Sequence, residues 1–148
     1  MKKKVFLLTI AVSFLLFNSC AFWNTVVYPS GLGAYAHTDK FSVQIIECFG
    51  NASTQEIAVV LMITNNGFNE RRWIGSASNT MAVDNQGNTL KPFRSAGVLL
   101  DFPTGVPVRV TIERMGPIFA GTPMLRILRV EIGSSKNIVE FRNVPIVW

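Results

Sequence analysis

The sequence predicts an all-β fold, an antiparallel sandwich of seven or eight strands, on three observations. After Phe41, apolar residues recur at every second position over most of the chain. Turn-forming clusters such as DNQGN and PTGVP punctuate these runs at short, fairly regular intervals. Almost no helical period intervenes. What precedes Phe41 is of a different kind and is read first.

Met1 is followed by three lysines and then by VFLLTIAVSFLLF, thirteen residues without a charge. A short basic end, an apolar run and then small or polar residues is the layout of a secretory signal. A spanning helix needs about twenty predominantly apolar residues, so this run is a signal helix. An uncleaved anchor stays open only if the run is stretched to Trp23. The tetrapeptide FNSC, Phe17 to Cys20, resembles the lipobox of bacterial lipoproteins: an apolar residue, a variable one, a small one and cysteine. The resemblance implies cleavage before Cys20 and lipidation of its thiol, with residues 1–19 as the signal. The alternative is a disulfide between Cys20 and Cys48, the only two cysteines, in a compartment that permits one. The signal layout favours the lipid. Residues 20–40 hold Pro29, Ser30, Gly31 and Gly33 without a clear period and read as a tether.

The sandwich domain is expected over residues 41–148. FSVQI sets Phe41, Val43 and Ile45 on one face. EIAVVLMIT is apolar on both faces and rich in β-branched residues, as suits a central strand covered on both sides. TMAVD and TLKPF flank DNQGN, which supplies Asn and Gly for a tight turn. VLLDF is short and ends at PTGVP. PVRVTIE alternates most cleanly, with Val108, Val110 and Ile112 inward and Arg109, Thr111 and Glu113 outward. LRILRVEI changes face midway, so a β-bulge is predicted near Ile127 and Leu128. The last segment turns Val139 and Phe141 inward. Pro145 then places the strand's end at an edge or crossover, and Trp148 is expected to pack into the domain. A lipidated Cys20 leaves no cysteine pair to build the paired-cysteine-and-Trp core of antibody domains. The sandwich is therefore immunoglobulin-like in shape only.

Composition narrows function. Loss of residues 1–19 leaves 129 residues, one domain's worth, and lowers the formal charge from +5 to +2 with the three lysines. The remaining cations are scattered, Arg71-Arg72 being the only adjacent pair, which excludes the basic stripe that nucleic acid requires. His37 is the only histidine and falls in the tether, so no Ser-His-Asp or Cys-His arrangement has a rigid base. One histidine and one spare thiol make no zinc site without carboxylates from elsewhere. DNQGN has its glycine at the fourth place and no closing Glu, unlike a calcium loop. No catalytic residue, cofactor or metal ligand is assigned, and the chain is read as non-enzymatic.

AVDNQGN, FPTGVPVRV and FRNVPIVW together resemble segments of small lipoproteins of Bacteroides-type gut bacteria. The resemblance implies an envelope origin and this fold, and it carries no activity. By likeness to lipoprotein sorting in such bacteria, Ala21 and the absence of Asp or Glu before Asp39 imply an outer-membrane anchor facing the periplasm. The one recognition candidate is FNERRW, which sets Phe68, Arg71, Arg72 and Trp73 in and beside a loop; Arg and Trp dominate binding hot spots. The competing reading buries Phe68 and Trp73 as core plugs. Two functions follow. The first is a lipid-anchored binding or assembly module with a protein or glycan partner. The second is a structural subunit that completes another protein by β-strand augmentation. Radiolabelled palmitate should enter the wild-type protein and not Cys20→Ala, and an unlabelled wild type would end the lipoprotein reading.

Overall fold

The computed structural model describes residues 28–75, 79–93 and 98–148. Cys20, the signal and the first part of the tether lie outside them. The described chain is all-β, with antiparallel ladders and no helix. Ten strands follow in order: β1 Tyr35–His37, β2 Phe41–Asn51, β3 Glu56–Asn65, β4 Glu70–Ile74, β5 Met81–Asp84, β6 Thr89–Pro92, β7 Val98–Phe102, β8 Pro107–Gly116, β9 Met124–Glu131 and β10 Ile138–Pro145. The expectation of seven or eight is corrected by β1 and β4. Neither alternates apolar with polar residues, and both are strands because of what they pair with. Eight strands form one sheet in the order β1-β2-β3-β8-β6-β5-β9-β10, and β4 and β7 form a separate two-stranded ribbon.

Alternation explains most of the core. Phe41, Val43 and Ile45 are fully buried, and Val110 and Ile112 nearly so, while Arg109 and Glu113 are exposed. Val108 is partly buried against the same core. β3 is buried on both faces through its middle, from Ile57 to Leu61. On its outer side the register sets Glu47 opposite Val60 and Arg109 opposite Met62, so the Arg109–Glu47 pair spans that face at 3.4 Å. Phe41 and Phe102 meet edge to face, with ring centroids 5.9 Å apart.

Three long strands change step, and each does so at an irregularity. On β2 the register shifts between Ile45 and Glu47, so Cys48 faces the core after Ile45. On β8 Glu113 and Arg114 are both exposed between buried Ile112 and Met115, and Arg114 has φ 57°. On β9 the partners of Val83 and Asp84 are Ile127 and Leu125, which leaves Arg126 as the extra residue. The bulge expected near Ile127 and Leu128 is thus present, one residue upstream. An unbroken period of two would have turned Leu128 and Val130, both fully buried, out to water.

The two ends of the sheet approach each other, and both ends of the described chain lie in the seam. β1 pairs with β2, and further up the chain the amide of Arg142 donates to the Pro29 carbonyl at 2.8 Å. The stretch expected as tether is therefore laid against the domain from Tyr28 onward. At the other terminus Val147 runs parallel to Phe49: the Gly50 amide donates to Val147 O at 2.7 Å, and the Val147 amide to Cys48 O at 3.0 Å. Trp148 docks its ring over Gly50, where an added Cβ would stand 2.5 Å from the indole. Its Nε1 donates to the Thr122 carbonyl at 2.7 Å.

Val110→Asp places an unpaired carboxylate in the core, at several kcal/mol against a total stability of about 5–15 kcal/mol, and should abolish folding. Arg109→Asp removes only an exposed ion pair and should fold. Circular dichroism of the two variants checks the register, and the reverse outcome would shift it by one residue.

Candidate functional site

The groups with latent reactivity are Cys48, His37 and Asp84, and each has a defined environment. Cys48 is buried in the core, a free thiol whose pKa burial pushes up to about 12, far from the thiolate that reactive cysteines need. His37 sits on the exposed side of β1 with Nδ1 3.1 Å from Ser42 Oγ. Asp84 is inaccessible to solvent beneath its own turn. Burial alone would raise its pKa, but the Asn88 side chain and the amides of Asn88, Gln86 and Gly87 together hold the carboxyl below its ordinary value. Oδ1 accepts from Gln86 N at 2.9 Å and Asn88 N at 2.8 Å, Oδ2 accepts from Asn88 Nδ2 at 2.8 Å, and Gly87 takes φ 93°. DNQGN is a turn whose aspartate is spent on its own backbone. Among the described residues, no group of three or more His, Cys, Asp or Glu could hold a metal.

The recognition candidates lie elsewhere than expected in one respect. Arg71, Arg72 and Trp73 belong to the strand β4, not to a loop, and that strand is paired along its length with β7. The ribbon caps one end of the sheet, with Ile74 and Phe102, both fully buried, facing the core. Alternation then turns Trp73 and Arg71 outward, opposite Leu99 and Asp101. Trp73 is 54% exposed and Phe68, in the connection before β4, is 93% exposed. The reading of both as core plugs is overturned, because the plugs at this end are Ile74 and Phe102.

The two arginines have different roles. Arg72 faces inward, where its Nε donates to Glu70 Oε2 at 2.8 Å and its side chain lies on Gly133. A Cβ at Gly133 would meet Arg72 Cδ at 2.5 Å, so a glycine there, at φ 70°, makes room for the arginine stem. Arg71 is exposed and only loosely paired, its Nε 3.5 Å from Asp101 Oδ1 with both side chains largely in water. Such a pair contributes about 0–1 kcal/mol and yields readily to a partner.

The ribbon is held firmly. The fully buried Asn65 at the end of β3 donates from Nδ2 to the carbonyls of Phe68 at 2.7 Å and Phe102 at 3.0 Å, and accepts from the Gly67 amide at 2.9 Å. At the far end Gly133 N donates to Trp73 O at 2.7 Å, and Ile74 bridges to Ile132. Trp73, Leu99, Arg71 and Asp101 thus form an apolar pair beside a charged pair on a fixed surface. A shallow cleft of about 330 Å³ adjoins it, bounded by Asn69, Arg71, Asp101 and Pro103. No protein-family model, curated protein or solved structure matches the chain.

With Trp23 and Trp148 replaced by Phe, the remaining Trp73 should emit red-shifted fluorescence that iodide quenches, and Trp73→Ala should barely change the unfolding temperature. Blue-shifted, unquenched emission would return the ring to the core.

Proposed function

We propose that the chain is a lipid-anchored, non-catalytic binding or assembly module of a bacterial cell envelope, held by Cys20 at an outer membrane and facing the periplasm. Its recognition surface is the outer face of the β4–β7 ribbon. The observation that carries this reading is the half-exposed Trp73 ring beside the loosely paired Arg71, on strands immobilised by Asn65 and Gly133. Aromatic and arginine side chains presented without further ordering cost are what binding hot spots use. The partner is a protein or glycan surface with an acidic group to meet Arg71 and a flat apolar or ring face to meet Trp73.

The domain reads as an immunoglobulin-like sandwich, and strand order supports that reading. β2-β3-β8-β6 and β5-β9-β10 follow the order of the two sheets in a seven-stranded constant-type domain. On this reading β4 occupies the connection between the second and third strands, and the Ile132–Asn137 turn the one between the sixth and seventh. These connections are recognition loops in antibody variable domains, and they meet here at Trp73 and Gly133. The alternative of a subunit that donates its last strand is less well supported, since residues 146–148 are already laid against β2 and Pro123.

A photo-crosslinking residue at Leu99 should trap one envelope component in intact cells, and Trp73→Ala should abolish the product. A probe that traps nothing, or traps the same component with Trp73→Ala, would overturn the assignment.

A further inference from the structure

A second concave surface lies on the outer face of β9 and β10, distinct from the ribbon. β9 and β10 pair through Arg142↔Ile127 and Val144↔Leu125, so Arg126 and Asn143 face each other between successive rungs without being partners. Arg126 is also the bulge residue against β5, and Asn143 takes φ 49°, a left-handed backbone that non-glycine residues seldom adopt. Bulges commonly re-aim side chains next to functional sites, and this one does so beside the N-terminal segment. That segment runs parallel beside β10 through the Pro29–Arg142 and Gly31–Arg142 backbone bonds, and Asn143 Nδ2 reaches Ser30 Oγ at 3.3 Å. The result is an open cleft of about 660 Å³ whose lining includes Tyr28, Ser30, Arg126, Ile127, Arg142 and Asn143. Its size falls among small-molecule sites.

The charge of the cleft is one-sided. Arg142 stacks its guanidinium 4.4 Å from the Tyr28 ring centroid and places NH2 2.6 Å from Glu140 Oε1. Glu140 is also held by Arg129 at 2.7 Å, so one carboxylate serves two guanidinium groups. The buried Nε of Arg142 has no hydrogen-bond partner. Arg126 is exposed and makes no ion pair with any described residue, and no Asp or Glu lines the cleft. The stacked Arg142 is fixed in orientation, and Arg126 is the cation left over.

We infer that this cleft binds a sugar carboxylate of the uronic-acid type. The single uncompensated guanidinium of the exposed Arg126 matches one planar monoanion, for which the guanidinium fork is shaped. Ser30 and Asn143 offer hydroxyl and amide partners for ring hydroxyls, and Ile127 and Val83 form an apolar floor for the C–H face of a ring. The open side lets a residue enter as part of a longer chain. This assignment does not depend on the ribbon.

Calorimetric titration of the detergent-solubilised full chain with D-glucuronate, D-glucose, acetate and methyl phosphate tests it. Glucuronate should bind saturably, and each of the other three at least about tenfold more weakly: glucose lacks the charge-assisted pair, acetate lacks the ring contacts, and methyl phosphate lacks both the ring and the planar carboxylate that the fork fits. Arg126→Ala should weaken glucuronate about tenfold with the unfolding temperature unchanged, and Trp73→Ala should leave it unaltered. No saturable glucuronate binding, equal binding of glucose, acetate or methyl phosphate as tight as glucuronate, or an unaffected Arg126→Ala would each overturn the proposal.

Discussion

Side chains on a β-strand alternate strictly, so a strand whose apolar residues change step must either turn half of them outward or take up an extra residue. β2, β8 and β9 all face this constraint, and all take up the residue. The extra residue falls near Ile46 on β2, at Glu113–Arg114 on β8 and at Arg126 on β9. Cys48, Met115 and Leu125 reach the core only because of these insertions, and all three are fully buried. The residues displaced outward include two arginines, one of which stacks on Phe93 at 5.1 Å and the other of which opens the cleft on β9. Core packing and surface shape are in this way consequences of one rule.

The ribbon solves a different problem. It covers the core at two points: β7 brings Phe102 against Phe41, and β4 brings Ile74 to Ile132. A two-stranded ribbon is marginal alone. Here it is stabilised by Asn65, whose amide replaces ladder bonds that the ribbon does not make with the sheet. A buried polar side chain is acceptable because its donors and its carbonyl acceptor are all engaged. Covering the core forces the alternate residues Arg71 and Trp73 into water, so the candidate surface is the reverse side of a structural cap.

Strands with clean alternation were legible in the sequence: Phe41, Val43 and Ile45, Val110 and Ile112, Val139 and Phe141 all lie where period two puts them. The bulge on β9 was legible because its two halves alternate out of phase. β4 was not, since its inward face carries Glu70 and Arg72, a charged pair that neutralises itself and erases the apolar signal. Size and hydrophobicity make Trp73 a candidate for the core, but they say nothing about parity within a five-residue strand. β1 was hidden in a Pro- and Gly-containing stretch, and its pairing depends on β2 and not on its own residues. Tyr28 and Arg142 lie far apart in sequence, and only the closed seam brings the ring under the guanidinium.

That seam has a consequence for the order of events in folding. The free edge of β2 is sealed first by residues 33–37 and then, beyond the bulge, by Val147 and Trp148. The first is a local hairpin, whereas Val147 against Phe49 closes a loop spanning most of the domain, and contacts of such separation form late and slowly. Sealing the edge of β2 therefore waits on the joining of segments from opposite ends of the described chain.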